Sequence, residues 1–227
     1  MTLLSILICS VIERENQFHN LLSALDAQKS YLDDGGEVEI LYIIDNKEIS
    51  VGAKRNKLLE MAKGEYVAFI DDDDMVTGDY LKSILEILDY NRPDCIGIRA
   101  IITFEGIAPE IREFYYSNKG NFRGPDGIMH SPPYHLNPIR ATIAKSVKFP
   151  DKNLQEDVAW AEAIRPKIKS GIDIDQPIYL YKFSATNSLT QRNEYTHLAV
   201  KTLQRVRRRR LWDASGKLVL HPDEKRR

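Results

Sequence analysis

Four consecutive aspartates, Asp71 to Asp74, are the residues whose type and spacing first suggest chemistry. They directly follow the apolar run Tyr66–Ile70, which has the length and composition of a buried β-strand. Adjacent carboxylates repel one another, so a strand that delivers them to one sheet edge makes a site for a hard divalent cation with oxygen ligands, usually shared with phosphate. A solvated acidic turn is the alternative, because acidic runs are usually exposed.

A second pair of carboxylates, Glu156 and Asp157, stands at the start of a predicted helix that carries Val158 and Trp160. A carboxylate within hydrogen-bond reach of a hydroxyl group can remove its proton, so Asp157 is a candidate general base. The competing interpretation is a negative charge that only stabilises the first turn of a helix.

The elements that must position these residues alternate between strand and helix. In order they are a strand at Leu3–Ser10, a helix at Arg14–Gln28, a strand at Val38–Ile44, a helix at Gly52–Ala62 and the strand Tyr66–Ile70. This order predicts an α/β layered domain with a mostly parallel central sheet and helices on both faces. Ligands of such sheets lie at the carboxyl ends of the strands, where Ser10, Asp45 and Asp71–Asp74 would converge.

The second half of the chain is less regular. The pattern predicts a helix at Tyr80–Leu88, a strand at Cys95–Thr103, a hairpin at Thr103–Tyr116 turning near Ala108-Pro109, an irregular lid-like loop at Ser117–Pro133, a late strand at Pro177–Phe183 and a helix at Thr196–Trp212.

Taken together, the motifs resemble family 2 glycosyltransferases of the GT-A (Rossmann-like) fold, which transfer a sugar from a nucleotide donor with inversion. The resemblance covers about Leu3 to Thr190. The segments that carry it are Gly52-Ala53-Lys54-Arg55-Asn56, the strand and acidic run Gly64–Asp74, Glu156-Asp157, and Tyr181-Lys182 followed by Ser188-Leu189-Thr190. The first loop, Cys9–Ile12, departs from the family's usual Pro-Thr-Tyr-Asn type of segment.

The resemblance implies a donor side and a metal side. Asp45 would bind the base of the donor, with Ser10 beside it, Lys54 and Arg55 would lie near the base or diphosphate, and Asn56 would order its loop. Asp71 would contact the nucleotide, and Asp73 would hold Mn²⁺ or Mg²⁺ against the diphosphate. Asp72 and Asp74 are alternates in this run, and His197 is an alternate metal ligand for which an exposed helix position is the competing interpretation.

The resemblance also implies the opposite side of the site. Asp157 would be the catalytic base. Glu156, Lys182 and Ser188 are expected on the acceptor or phosphate side. Tyr134 and His135 are expected there as well because they lie beside the long loop, with ordinary packing as the alternative for Tyr134.

Composition predicts one domain with a tail. The 227 residues are 43% hydrophobic, and residues 201–227 carry ten basic and three acidic residues, a charge of +7 against −8 for the rest. We predict a glycosyltransferase domain at 1–195, divided into a nucleotide-sugar half at 1–103 and an acceptor half at 104–195, and a basic helical tail at 196–227. The arginines of Arg205–Arg210 would suit an anionic partner, either DNA or a membrane surface.

Location is predicted from the cysteines and the apolar runs. Cys9 and Cys95 lie in apolar segments, which is typical of core residues in a reducing compartment. The opening segment MTLLSILICS is expected to be a strand and not a signal peptide, and no apolar run reaches the roughly 20 residues of a membrane span. A cytoplasmic protein is expected, with peripheral membrane attachment as an alternative.

Three functions are compared. The first is metal-dependent transfer of a sugar, with UDP as the expected nucleotide, to a saccharide or lipid-linked glycan. The second keeps this chemistry but takes a hydroxylated base of DNA as acceptor, through the basic tail. The third is an Asp-nucleophile phosphatase or phosphotransferase built on Asp72-x-Asp74, a motif that normally ends the first strand of its fold, not the third. The sugar, the acceptor and the oligomeric state are left open.

Overall fold

The computed structural model describes residues 2–32, 37–104 and 107–183. The elements in chain order are β1 (Leu4–Val11), α1 (Glu15–Leu32), β2 (Val38–Asp45), α2 (Val51–Met61), β3 (Tyr66–Phe69), β4 (Met75–Val76), α3 (Tyr80–Tyr90), β5 (Cys95–Phe104), β6 (Ile107–Phe114), β7 (Phe122–Arg123), β8 (Met129–Ser131), β9 (Ile139–Arg140), α4 (Ala141–Ala144), α5 (Glu156–Ile164) and β10 (Gly171–Phe183). Short 3₁₀ turns occupy Ile12–Arg14 and Arg165–Lys167.

β1, β2, β3, β5 and β10 run in one direction, and β6 lies antiparallel to β5. β1 pairs in parallel with β2 and with β3, and β10 pairs in parallel with β5. The two-residue strand β9 lies antiparallel between β3 and β5, so these two strands also point the same way. The carboxyl ends of β1, β2 and β3 therefore meet at one edge, and the predicted α/β architecture with a mostly parallel central sheet is confirmed.

Helices cover both faces of this sheet, as the alternation along β3 demonstrates. Tyr66 and Ala68 belong to the core cluster that also contains residues of α1 and α3. Val67 and Phe69 belong to the opposite cluster, with residues of α2, α4 and α5. Successive side chains of a strand point to opposite faces, so a continuous apolar run is what a strand buried on both faces requires.

The hairpin after β5 turns earlier than predicted. Phe104 pairs with Ile107, so Ala108 and Pro109 lie inside β6 and not at the turn. The ladder has an irregularity between Ile102 and Phe104, opposite this point. A proline has no backbone N–H to donate, and it is tolerated in a strand where the ladder is interrupted by a bulge.

The segment 117–133 is not wholly irregular, contrary to the prediction. β8 pairs in parallel with β6, and β7 pairs antiparallel with β8, so the sheet extends through this segment. Gly127 lies between these strands with φ +84°, a conformation that a residue with a side chain rarely adopts. Strands of two and three residues are too short to show a period of two in the sequence, which explains the error.

Replacing Gly52 with alanine is expected to lower the free energy of unfolding by about 1–3 kcal/mol. A Cβ at this position would lie 1.9 Å from the carbonyl oxygen of Pro150, so the segment after Phe149 would have to move. Chemical denaturation of the Gly52→Ala protein measures the change. Gly78→Ala is the matched control, because nothing lies within 4 Å of a Cβ there, and an equal loss in both variants would contradict the expectation.

Candidate active site

The four aspartates after β3 alternate between buried and accessible positions. Asp72 and Asp74 are buried, with 3% and 2% of their surface exposed. The side chains of Asp71 and Asp73 retain 30% and 18% exposure. Two carboxylates of the run can therefore meet a ligand, while the other two are held inside the protein.

Asp72 and Asp74 join this run to neighbouring elements. Ser10 Oγ and Arg14 Nη1 each donate a 2.7 Å hydrogen bond to Asp72. Tyr179 Oη donates to Asp74 at 2.7 Å, and the backbone N–H of Lys182 donates to it at 2.9 Å. These contacts join the acidic run to the end of β1 and to β10, and they explain why the buried pair is not free for a ligand.

Asp71 is held on two sides and by its backbone. Arg55 Nη2 lies 2.9 Å from one carboxylate oxygen, and His135 Nε2 lies 3.3 Å from the other. Its N–H donates to Tyr179 Oη at 3.2 Å. Burial alone would raise the pKa of Asp71, but the positive charge of Arg55 and the His135 ring outweigh it, so the pKa lies below its usual range.

Asp73 has a different electrostatic environment. Burial raises its pKa to about 6, and the charges of Asp71 and Asp72 add to this effect, whereas Arg14 opposes it. The Arg14 guanidinium lies 3.1 Å from Asp73 as well as against Asp72. An ionised Asp73 is thus only partly compensated, and a further positive charge beside it would be favourable.

The end of β2 forms a second wall. Asp45 accepts hydrogen bonds from the Lys54 ammonium and from the backbone N–H of Ile49, at 3.1 Å for the latter. Lys54 is itself buried and also donates to the carbonyl of Ser10 at 2.8 Å. Lys54 therefore connects the ends of β1 and β2, and its ammonium group forms an ion pair with Asp45.

The Gly-x-x-x-Asn segment of α2 is joined to the segment before α5. Asn56 Nδ2 donates to the carbonyl of Phe149 at 2.9 Å, and Asn56 Oδ1 accepts from its N–H at 2.8 Å. The N–H of Gly52 donates to the carbonyl of Lys152 at 3.1 Å. Residues 149–153 lead directly into α5, so these contacts place the first turn of that helix.

Glu156 and Asp157 open α5 on the side facing the acidic run. Glu156 is buried, and Arg55 Nε lies 3.4 Å from its carboxylate. Asp157 is 23% exposed at its side chain and lies 3.8 Å from His135 Nδ1. Burial raises the pKa of Tyr134, and its hydrogen bond with Asp157 adds to that effect.

Most of the predicted site residues converge. Those that the structure brings to this region are Ser10, Asp45, Lys54, Arg55, Asn56, Asp71, Asp72, Asp73, Asp74, Tyr134, His135, Glu156 and Asp157. Lys182 takes part through its backbone N–H, and its side chain is exposed. Ser188, His197 and Arg205–Arg210 lie outside the described residues.

Two residues of this region were not predicted. Arg14 contacts Asp72 and Asp73, and Tyr179 bridges Asp71 and Asp74. Arg14 lies three residues after the end of β1, so a cation facing the acidic run could have been inferred from that position. Tyr179 gives no such signal, because an aromatic residue in a strand is ordinary.

The comparison that decides the family is with a family model. The model of glycosyl transferase family 2 matches residues 23–147, more than half of the chain. The chain belongs to glycosyl transferase family 2.

Other comparisons agree with this family 2 assignment. The putative glycosyltransferase EpsH of Bacillus subtilis (strain 168) is 44% identical over 43 residues, which is 19% of this chain and 12% of that protein. Crystal structures of S. aureus TarS residues 1–349 match with TM-scores of 0.57 for one structure and 0.55 for the complex with UDP-GlcNAc, at 15% and 14% identity. The matches cover 80% and 99% of this chain, and 60% and 69% of TarS 1–349.

These comparisons settle the fold of this family 2 member. At 15% identity the likeness to TarS concerns the fold alone, and the predicted GT-A architecture is confirmed. The aspartate motif also ends β3, the third strand, which is not where an Asp-nucleophile phosphatase carries it. In the described part of the chain, no helix is long and apolar enough to cross a membrane.

The residues present would suit a cation coordinated jointly by the protein and a bound ligand better than a cation coordinated by protein side chains alone. Among the residues that the structure describes, no three His, Cys, Asp or Glu side chains are grouped as a metal site would need. Asp73 and Asp71 nevertheless offer accessible carboxylates, and Asp73 lacks full compensation. Mg²⁺ bound with phosphates commonly uses only one or two protein carboxylates and keeps several waters.

Proposed function

We propose that this protein is a divalent-cation-dependent, inverting glycosyltransferase that moves a sugar from a UDP-linked donor to a hydroxyl group of a saccharide or lipid-linked glycan. One observation carries the proposal. The imidazole ring of His135 lies between Asp71 at 3.3 Å and Asp157 at 3.8 Å, and the accessible Asp73 follows Asp71 in the same run, so a candidate cation side and a candidate base are neighbours. Family 2 membership gives this arrangement its reaction class.

The donor would lie along the carboxyl ends of β1, β2 and β3. Asp45 is the last residue of β2. Its carboxylate can accept a hydrogen bond from the N–H of a pyrimidine base bound at that end of the strand. Burial would raise the pKa of Asp45, but the Lys54 ammonium and backbone N–H groups hold it below its usual range, so it stays an acceptor at neutral pH. TarS 1–349 has been crystallised with UDP and with UDP-GlcNAc, which supports a uridine donor here.

Asp73, with Asp71 beside it, would hold the cation. A bound Mn²⁺ or Mg²⁺ would offset the negative charge that develops on the leaving diphosphate. The protein's own share is to keep Asp71 ionised through Arg55 and His135, and to keep Asp72 and Asp74 bound elsewhere.

Asp157 would accept the proton of the acceptor hydroxyl. Inversion requires the acceptor to approach opposite the leaving group, so the base must face the donor from across the crevice. Its carboxylate is partly exposed, and the N–H of Val158 and the hydroxyl of Tyr134 hold it in place.

A thermal-shift screen of UDP-, GDP-, ADP- and CDP-sugars with and without Mn²⁺ tests the proposal. A donor at 100 times its Kd stabilises the folded state by about 2.7 kcal/mol. For a chain of this size the Tm would rise by roughly 5–10 °C, and only when Mn²⁺ and a UDP-sugar are both present. Equal Tm values with and without every nucleotide sugar would contradict the proposal.

A further inference from the structure

His135 joins the two sides of the crevice. Its side chain is 3% exposed, with Nε2 3.3 Å from Asp71 Oδ2 and Nδ1 3.8 Å from Asp157 Oδ2. Within the described residues, Nδ1 has no hydrogen-bond partner. A buried polar nitrogen without a partner is unfavourable, so an interaction that engages it is favoured.

Packing and the backbone hold the His135 ring between the two carboxylates. It lies against Tyr134 at a ring-centroid distance of 4.6 Å and edge-on to Phe69 at 6.4 Å. The carbonyl of His135 accepts the N–H of Phe69 at 3.2 Å. Asn137 secures the turn by accepting the N–H of Tyr134 at 2.8 Å and by donating to the carbonyls of Ile96 and Phe114. The ring therefore cannot follow one carboxylate without affecting its contact with the other.

A second bridge runs in parallel with the first. Arg55 binds the other oxygen of Asp71 at 2.9 Å and approaches Glu156 at 3.4 Å. Asp71 is thus connected through Arg55 to Glu156 and through His135 to Asp157, two adjacent residues of α5. Of the two bridges, only the one through His135 ends on the candidate base, and its contact of 3.8 Å is longer than a hydrogen bond of 2.7–3.2 Å.

We propose that His135 is a positioning residue that couples the donor side to the base: occupation of the Asp71 side by the donor draws the imidazole and Asp157 into hydrogen-bond contact and orients the carboxylate for proton removal. This inference rests on the proposed function, and it assigns to His135 a role distinct from contact with the acceptor. On donor binding, the 3.8 Å distance between His135 Nδ1 and Asp157 would shorten to that of a hydrogen bond.

Three substitutions of His135 separate its two contacts. Phenylalanine keeps the ring and its packing but removes both nitrogens. The amide nitrogen of glutamine reaches the place of Nε2, and that of asparagine reaches the place of Nδ1. His135→Gln therefore retains the contact to Asp71, and His135→Asn retains the contact to Asp157.

Two quantities are measured for each variant. The first is the Kd of UDP in the presence of Mn²⁺. The second is kcat, with KM, for release of UDP from the UDP-sugar that gives the largest thermal shift, with water as the acceptor. We expect His135→Phe to weaken UDP binding at least 5-fold and to lower kcat at least 100-fold. His135→Gln should restore the Kd to within 2-fold of the wild type but leave kcat low. His135→Asn should recover at least 10-fold in kcat over His135→Phe at saturating donor.

His130→Gln is the matched control. This histidine stacks on Phe122 at 4.7 Å and contacts Glu113 at 2.8 Å, on β8, and its substitution should leave kcat and the Kd of UDP unchanged. If the Kd and kcat fall by the same factor in all three His135 variants, in step with their Tm, the role is structural and the coupling is overturned. A wild-type protein that binds neither UDP nor any nucleotide sugar overturns the proposed function together with the coupling.

Discussion

Asp157→Asn is expected to lower kcat for sugar transfer by about 10²–10⁴-fold while the Kd of UDP with Mn²⁺ stays within 2-fold of the wild type. The amide has the shape of the carboxylate and can still accept a hydrogen bond from Tyr134, but it cannot take a proton. The amide oxygen can also still accept a hydrogen bond from His135, so removal of the base should leave the donor side intact. Release of UDP and UDP binding, measured on the same preparation, give the two quantities.

The matched control for this prediction is Glu162→Gln. Glu162 lies on the exposed face of the same helix, α5, and its substitution removes an equal charge. We expect wild-type kcat in this variant. If Asp157→Asn retained full transfer activity, Asp157 would not be the base, and the crevice would have to use another group.

Asp73→Asn is expected to have two opposite effects. It should abolish Mn²⁺-dependent UDP binding, because the cation and the diphosphate lose their shared protein ligand. It should also raise the free energy of unfolding of the metal-free protein at pH 7, by about 1–3 kcal/mol, because an incompletely compensated, half-buried charge is removed. Isothermal titration with UDP and Mn²⁺, and chemical denaturation in the presence of EDTA, measure the two effects.

The sign of the second effect follows from the pKa of Asp73. Burial raises this pKa to about 6 in the folded protein, from an unfolded value near 3.8. Protonated Asp73 therefore contributes stability that is fully present below pH 3.8 and is lost as the pH rises through about 6. The difference in unfolding free energy between Asp73→Asn and the wild type should grow between pH 4 and pH 7, and a constant difference would contradict this origin.

Asp72→Asn serves as the comparison within the same run. Asp72 accepts 2.7 Å bonds from Ser10 and Arg14, so this substitution should destabilise the metal-free protein instead of stabilising it. Retained Mn²⁺-dependent UDP binding in Asp73→Asn, together with its loss in Asp72→Asn, would show that Asp72 is the metal ligand. The pair of variants thus decides which aspartates of the run contact the ligand.

The local pattern of the sequence was sufficient for the central part of the fold. Continuous apolar runs predicted strands buried on both faces; β1 and β3 are such strands, whereas β2 lies at the edge of the sheet and is mostly half-buried. The order of strands and helices predicted that Ser10, Asp45 and Asp71 would meet at one edge, because parallel strands end on the same side. The weak points were the short strands β7 and β8 and the turn after β5, where a few residues carry no periodicity and pairing with a neighbour decides the conformation.

The aspartate run Asp71–Asp74 shows what local sequence patterns leave open. Local patterns of residue type were enough to predict that four carboxylates follow a buried strand and that Glu156-Asp157 opens a helix. Which of these carboxylates are accessible depends on tertiary contacts, because their partners lie far along the chain: Arg14 is 58 residues from Asp72, His135 is 64 from Asp71, and Tyr179 is 105 from Asp74. Burial and charge compensation depend on such distant contacts, and so they distinguish Asp71 and Asp73 from two neighbours of identical chemistry.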